Sequence, residues 1–291
     1  MYHNIGSEDP ALPGLSVRAF SEHMHWLRKH CEPIGPASLV ECSKQGRQAR
    51  PPVLVTFDDG YRDYHDLAYP ILKKLGIPAL VFLVTSLMDK GQMLWTDELQ
   101  RAVMVSPAQK ASCPWLDGTM VPLSSVASRR AWGEQARHFL KALPDDSRAV
   151  ELEKMFGEIG RPSPLARRRM LNWDEVRATL DLTVYGGHTH THPVLSRVQR
   201  SEAELEIRTC RDRILAETGR APTYFAYPSG RPQDFTAESQ TILRENGFTL
   251  AFSTVEGIAG PDSDWMAIKR LPGGNLASTP EFVWTAAGRS S

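Results

Sequence analysis

The sequence predicts an α/β fold built on a parallel sheet. Short apolar runs alternate with segments of helical periodicity along most of the chain, and two of the runs end in clusters of potential metal ligands. Repeated strand–helix units of this size imply parallel strands joined by crossover helices, in an open sheet or a closed barrel. With 291 residues, of which 41% are hydrophobic, the chain can form one large domain or two small ones.

The predicted strands are short runs rich in apolar residues. They cover residues 52–57, 79–84, 182–185, 224–227 and 249–253. Each run has the length of a buried strand and is bounded by glycine, proline or polar residues. In parallel α/β proteins the functional site lies at the carboxyl ends of the strands, so the residues that follow these runs are the first candidates.

The predicted helices are recognised by their caps and by apolar residues three or four positions apart. Ser16 is predicted to cap a helix that carries Phe20, Met24 and Leu27 on one face. A second helix is predicted at 64–75, with a bend near Pro70 and an end at Gly76. A third is predicted to begin at Asn172 with Glu175, and a fourth to run from a capping box at 201–204 to Thr218. A fifth is predicted to end near Asn246 and Gly247, and a last one to begin at Thr279 and Pro280.

The segment at about 88–169 interrupts this alternation. It is polar and mostly helical in pattern, with loops around several prolines. We interpret it as a helical insertion between two core strands of a single domain that spans residues 1–291, serving as a lid or a partner surface. The basic run 167–169 is predicted to be a solvated helix face rather than a phosphate site.

The composition argues against several functions. Lys+Arg and Asp+Glu both total 34, whereas nucleic-acid-binding proteins normally carry a basic excess, so no nucleic acid partner is expected. No run approaches the roughly 18 apolar residues of a membrane span. The four cysteines include no Cys-x-x-Cys pair and are typical of reduced thiols. The chain becomes polar by His3 without a signal-peptide pattern, so we expect a cytoplasmic protein, unless the natural chain starts further upstream.

Two motifs supply potential metal ligands at strand ends. The first is TFDDG, with Asp58 and Asp59, and the second is HTHTH, with His188 and His192. One carboxylate and two imidazoles match a hydrolytic metal site, and a second carboxylate is left beside them. The two histidines share a face if the chain turns helically after the strand, whereas in a continued strand His190 would join them.

At these motifs the chain resembles the polysaccharide deacetylase family, also called the NodB-homology or carbohydrate esterase 4 family. The resemblance is carried by 56–60, by His188-x-x-x-His192 and by FAYPSG at 225–230, and it extends to 66–84 and 247–254. The Tyr-Pro-x-Gly sequence is similar to one subset of the family. The resemblance implies a distorted (β/α) barrel of about seven parallel strands, and metal-dependent removal of an acyl group, usually acetate, from an amino sugar.

The resemblance also implies a role for each motif residue. Asp59, His188 and His192 would bind one divalent ion, with zinc expected and cobalt, nickel or manganese as alternatives. Asp58 would be the general base, and the backbone N–H of Ser229 would stabilise the oxyanion. The residues expected around the substrate are His3, Tyr227, Pro228, Gly230 and Arg270.

Two departures from the family pattern concern the mechanism. Many relatives have an arginine that orients the base where this chain has Ala226, and Arg270 and Arg231 are the candidate substitutes. Many relatives also have a general-acid histidine in a late Leu-x-His motif, but the comparable stretch here, RLPGG, has none. His3, a water of the metal site or Asp58 acting twice would then protonate the leaving amine.

The sequence therefore predicts a metal-dependent hydrolase that removes an N-acyl group, N-acetyl above all, from an amino sugar of a bacterial polysaccharide or glycan precursor. Two alternatives remain. An allantoinase-like hydrolase of cyclic amides would use the same site, and a catalytically degenerate glycan-binding module would explain the missing arginine and histidine. The insertion is expected to narrow the cleft towards a short or lipid-linked sugar. The sequence indicates no particular oligomeric state.

Overall fold

The structure is a computed structural model that describes residues 1–6, 9–45, 48–88, 90, 92–165, 167–274, 276 and 281–282. Its internal contacts divide the chain into two compact units. We call Met1–Ser7, Gly14–Gln92 and Arg168–Ser291 the barrel unit, and Glu8–Pro13 with Met93–Arg167 the insertion unit. No helix of the described part is long and apolar enough to cross a membrane.

The strands and helices follow in chain order. The strands are β1 (Glu32–Pro33), β2 (Pro52–Val53), β3 (Val55–Phe57), β4 (Ala79–Leu83), β5 (Lys110–Cys113), β6 (Thr119–Pro122), β7 (Thr183–Gly187), β8 (Tyr224–Ala226), β9 (Leu250–Glu256) and β10 (Ile268–Arg270). The α-helices are α1 (Val17–His30), α2 (Leu39–Lys44), α3 (Tyr69–Leu75), α4 (Trp95–Val105), α5 (Val126–Ala142), α6 (Asp145–Ile159), α7 (Trp173–Ala178), α8 (Arg200–Thr218) and α9 (Ala237–Glu245).

A curled sheet of six parallel strands organises the barrel unit, in the order β10-β9-β8-β7-β4-β3. The predicted fold class is confirmed. The sheet has six strands instead of about seven, and Tyr2 adds one isolated parallel bridge to Phe57 at the β3 edge. Strand β10 was not predicted, because two of its three residues are charged and it forms no apolar run.

Strand β4, between β7 and β3, shows why an unbroken apolar run is needed here. All five of its residues are buried, since both faces of the sheet are covered. Successive side chains point to opposite faces, so Val81 packs in the cluster that includes helix residues, whereas Phe82 packs with Phe252 and Ile268 on the inner face.

Most predicted helix boundaries agree with the structure. The Ser16 cap of α1 is confirmed, since its side chain accepts a hydrogen bond from the Ala19 N–H. The helix predicted at 64–75 forms as one π-helical turn followed by α3. The capping box at 201–204 is wrong, because α8 begins at Arg200 after an N-cap residue without a side-chain bond. The final helix predicted from 279–280 starts outside the described residues.

The insertion unit has its own hydrophobic core, formed by α4, α5, α6 and the antiparallel hairpin of β5 and β6. The insertion is mostly helical, as expected, and the hairpin is an element that the sequence analysis did not predict. Its turn contains Asp117 and Gly118, both at positive φ, which is a common hairpin sequence. The predicted boundaries of 88–169 compare with Met93–Arg167 in the structure.

Candidate metal and catalytic site

The predicted site residues lie where parallel strands of the barrel unit end. Asp58 and Asp59 follow β3, His188 follows β7, and the 227–230 turn follows β8. Because these strands run parallel in one curled sheet, their carboxyl ends share one edge. The structure thus brings together motifs that are more than 120 residues apart in sequence.

Asp59, His188 and His192 form a buried cluster of possible metal ligands. The Asp59 Oδ1 atom lies 3.3 Å from His188 Nε2 and 3.6 Å from His192 Nε2. The three ligand atoms all lie within 4.8 Å of one another. An ion bound tetrahedrally at about 2.1 Å from each ligand would hold them roughly 3.4 Å apart, so the separations of Asp59 Oδ1 from the two imidazole nitrogens fit a zinc-sized ion.

The hydrogen bonding of His188 also fits a metal ligand. Its Nδ1–H donates to the backbone carbonyl of Ala226 at 2.7 Å. In the neutral imidazole this leaves the Nε2 lone pair directed at the Asp59 carboxylate, so two acceptors face each other. A cation between them relieves that conflict, and a backbone carbonyl behind a ligating histidine is a common outer contact of metal sites.

The backbone around the site adopts unusual conformations. Asp59, Thr189, His192 and Ser229 all have φ between 63° and 74°, a region that non-glycine residues rarely occupy. Such strain clusters at functional sites. It also corrects one expectation, because His188 and His192 converge through an irregular turn with two left-handed residues and not through a helical turn.

Asp58 has a different environment, dominated by Arg270. The guanidinium donates from Nη1 to Oδ1 and from Nη2 to Oδ2, both at 2.7 Å, and both side chains are buried. Arg270 also donates to the Ser253 carbonyl through Nε and contacts Thr56. Of the two candidate substitutes for the missing arginine, the structure places Arg270 on Asp58, while Arg231 is exposed on the loop after β8. Arg270 was also expected around the substrate, but its donors point at the protein.

Both aspartates are held in the ionised form. Burial raises the pKa of Asp58, but the charge and hydrogen bonds of Arg270 outweigh it and keep the pKa below its ordinary value. Burial likewise raises the pKa of Asp59, but without a metal ion a protonated His188 would hydrogen bond to this carboxylate, and that bond together with the charges of the nearby histidines lowers the pKa well below the ordinary range. Each carboxylate can therefore accept a proton or bind a cation.

The 228–230 turn is held rigidly beside these residues. Thr254 donates from Oγ1 to the Ser229 carbonyl at 2.6 Å and from its N–H to the Gly230 carbonyl at 2.8 Å. Gly230 has φ +66°, and a Cβ there would lie 2.9 Å from the Thr254 nitrogen, so only glycine fits. Pro228 fixes the first φ of the turn, as predicted from its type.

Of two residues expected around the substrate, His3 lies at the rim of the site and Tyr227 lies in the core. The His3 Nε2 atom is 4.0 Å from Asp58 Oδ2, and the side chain is 44% exposed. Tyr227 is fully buried, its ring stacks on Phe235, and its hydroxyl donates to the Met266 carbonyl. The expectation that Tyr227 contacts substrate is therefore corrected: its side chain packs the core beneath the turn.

His190 is not part of the ligand group. Its Nδ1 is hydrogen bonded to the Thr85 hydroxyl at 2.9 Å, and its carbonyl accepts from the Ser86 N–H.

Sequence reasoning missed Thr85, Thr254 and a glutamate on α8 that contacts the histidine turn. A single hydroxyl or carboxylate gives no signal in the sequence, because its role depends on contacts that form only when the chain folds.

A sequence model of the polysaccharide deacetylase family matches residues 45–106 and 165–251, just over half of the chain. The chain belongs to this family. Members generally depend on a metal ion, and the Asp59, His188 and His192 group is a possible site for one.

Two curated relatives share part of the sequence. The putative polysaccharide deacetylase YxkH of Bacillus subtilis is 39% identical over 92 residues, 29% of this chain and 30% of that protein. The poly-beta-1,6-N-acetyl-D-glucosamine N-deacetylase of Escherichia coli K12 is 32% identical over 105 residues, 34% of this chain and 16% of that protein. The matches thus span less than a third of the length of these relatives.

Solved structures show the same fold along the whole chain. The Streptococcus pyogenes deacetylase PplD, in complex with acetate, superposes with a TM-score of 0.64 at 17% identity, covering 100% of this chain and 96% of PplD. IcaB from Ammonifex degensii gives a TM-score of 0.62 at 18% identity, covering 99% and 95%. At such identities the likeness concerns the fold alone.

Proposed function

We propose that this chain is a metal-dependent N-deacetylase of an amino sugar. The observation that carries the proposal is the division of labour between adjacent aspartates. Asp59 faces two imidazoles in a cluster that fits a metal ion, and Asp58 is paired with Arg270 beside it. A ligand group with a fixed, ionised carboxylate next to it is what hydrolysis of an amide requires.

The metal would be held by Asp59, His188 and His192, and zinc is the proposed ion, with cobalt, nickel or manganese as alternatives for this ligand set. A divalent ion there would supply Lewis-acid activation of water and of the amide carbonyl.

The protein residues would perform the proton transfers and the charge stabilisation. Asp58, oriented by Arg270, accepts the proton of the attacking water at one of its carboxylate oxygens. The N–H of Ser229, in the turn fixed by Thr254, donates to the oxygen on which negative charge develops. His3, at the rim next to Asp58, donates a proton to the leaving amine.

The proposed substrate is a glycan or glycan precursor that contains N-acetylated amino sugar. Two observations support this choice. The chain belongs to the polysaccharide deacetylase family, and a relative that is 32% identical over 105 residues is named for its action on poly-beta-1,6-N-acetyl-D-glucosamine. The half-exposed His3 at the rim of the site is consistent with a carbohydrate that approaches from solvent.

The two alternatives receive less support. None of the relatives reported above is a cyclic amide hydrolase. The degenerate binding module was suggested by the missing arginine and the missing late histidine, but Arg270 supplies a guanidinium to the base from another strand, and His3 lies 4.0 Å from the base at the rim. We therefore propose an active enzyme.

The experiment that tests the proposal combines metal content with product release. The purified chain, Asp59→Ala and Asp58→Asn are analysed by elemental mass spectrometry and then assayed for acetate release from acetylated glucosamine oligomers. We expect one ion per chain and acetate release for the unmodified protein, no ion for Asp59→Ala, and a retained ion without release for Asp58→Asn. A protein that binds the ion and the oligomer but releases no acetate would favour the binding-module alternative.

A further inference from the structure

The turn that carries the histidines has an unusual backbone. From His188 to His192 the chain is neither helix nor strand, and Thr189 and His192 have φ values of 64° and 68°. Such a turn cannot satisfy its own N–H groups through regular secondary structure, so these groups take other partners. One partner is local, because the Thr189 hydroxyl accepts from the His192 N–H at 3.0 Å.

The other partner is Glu206, which lies on α8, far from both motifs in sequence. Its Oε2 accepts hydrogen bonds from the N–H groups of His190 and Thr191, both at 2.8 Å. Its Oε1 accepts from the Thr191 hydroxyl, also at 2.8 Å. One carboxylate therefore accounts for two consecutive backbone donors and one side-chain donor between the two histidines. Such charge-assisted bonds are stronger and more directional than neutral ones.

We propose that Glu206 is a positioning residue for the metal site. By fixing the N–H groups of residues 190 and 191 it holds the left-handed turn, and the turn aims both Nε2 atoms at Asp59. The residue touches neither the ligand atoms nor the substrate in this arrangement, so it acts through the histidines. The inference rests on the proposed function, because it concerns the same site.

The rest of α8 shows that this is a specific contact. Glu204, two positions earlier on the same helix, is exposed and lies 4.0 Å from Arg208 in an ordinary surface ion pair. It thus provides a matched control with the same side chain on the same helix, whose partner is Arg208 and not the histidine turn. Surface pairs of this kind contribute little.

Removing the Glu206 carboxylate leaves the two N–H groups without their acceptor, and the strained turn can relax. Loss of an outer partner of a metal ligand typically lowers metal affinity about 10- to 100-fold. We expect that range for Glu206→Ala. We expect a smaller loss for Thr191→Val, which removes only the side-chain bond, and no change for Glu204→Ala.

The test is a titration of the metal-stripped full-length chain with Zn²⁺ against a coloured chelator, and a Co²⁺ absorption spectrum as a report on ligand geometry. Circular dichroism of each metal-free variant verifies its fold. Weaker Zn²⁺ binding together with an altered Co²⁺ spectrum in Glu206→Ala, graded through Thr191→Val, is the expected result. The Co²⁺ spectrum distinguishes the two roles of Glu206, because a residue that only stabilises the fold would leave the ligand geometry, and therefore the spectrum, unchanged.

Three other outcomes separate the proposals. If the unmodified chain binds Zn²⁺ and Glu206→Ala binds it equally well with the same Co²⁺ spectrum, the positioning role is wrong and the proposed function stands. If Glu206→Ala does not fold, Thr191→Val decides, and unchanged binding in that variant overturns the inference. If the unmodified chain binds neither ion, the proposed function and the positioning role both fail.

Discussion

Asp58 and Asp59 are adjacent and chemically identical, yet they belong to two different sides of the site. The metal side consists of Asp59, His188 and His192, and the base side consists of Asp58 with Arg270. Asp59 reaches the metal side because its backbone is left-handed, with φ 74°, which turns it away from its neighbour. The comparison shows how one short motif can supply both a metal ligand and a general base, provided that the backbone points the two carboxylates in different directions.

The two sides also differ in how they are stabilised. On the metal side two imidazoles and one carboxylate lie close together, and a divalent ion would serve as the common partner of all three. On the base side the anion already has its cation, in a bidentate pair inside the barrel. The metal side should therefore respond to metal removal, whereas the base side should keep its geometry without metal.

The largest expected effect is on the metal side. Asp59→Ala removes the only acidic ligand of the group, so bound metal and turnover should both fall to background. Adding Zn²⁺ should raise the melting temperature of the unmodified chain, as any ligand of the native state does, and leave that of Asp59→Ala unchanged. The control is Asp117→Ala, an aspartate at positive φ in the insertion unit. A Zn²⁺-dependent shift in Asp59→Ala would place the ion elsewhere.

The base side should be separable from metal binding. Asp58→Asn preserves the shape of the side chain but cannot accept a proton from water, so we expect full metal content and a loss of turnover of about 10²- to 10⁴-fold. Metal content and acetate release are measured on the same sample. Equal loss of both would mean that the two carboxylates do not divide their roles as the geometry indicates.

The link between Arg270 and Asp58 gives a smaller effect. Arg270→Lys keeps the charge but not the two parallel donors, so Asp58 loses its fixed orientation. A misplacement of about 1 Å can cost about 10²-fold in rate, and we expect a reduction in kcat of that order with KM and Zn²⁺ affinity little changed. Arg231→Lys, on the exposed loop, is the control and should behave like the unmodified chain. Unchanged kcat in Arg270→Lys would contradict the orienting role.

The sequence could predict the metal side better than the base side, for a physical reason. Asp59 and the two histidines lie in short motifs at strand ends, where local order fixes their position. Arg270 ends β10, a three-residue strand that shows no periodicity, and its partner is 212 residues away. Only the closing of the sheet brings the two together, so the sequence could nominate Arg270 but not choose it over Arg231.

The same reasoning explains the errors around the turn residues. Tyr227 was expected to contact substrate from the resemblance of its motif to the family, but it continues the alternation of β8 and its ring packs with Phe225 in the core. The histidine turn was expected to be helical or extended, the two regular options. Its left-handed residues depend on Glu206 and Thr189, which no local pattern reveals.

The smallest effect is expected for substitution of His3, which tests whether this residue belongs to the base side as a proton donor. It lies 4.0 Å from Asp58 and is 44% exposed, so solvent competes with it as a proton donor. His3→Gln should therefore reduce kcat by less than about 10²-fold, the lower limit for a well-placed acid, and leave metal content unchanged. With a substrate that has a better leaving group, such as an acetylated amine of low basicity, His3→Gln should reduce kcat by a smaller factor, because the departing amine depends less on protonation by an acid. The same loss with both leaving groups would assign His3 to substrate binding, and the base side would then consist of Asp58 and Arg270 alone.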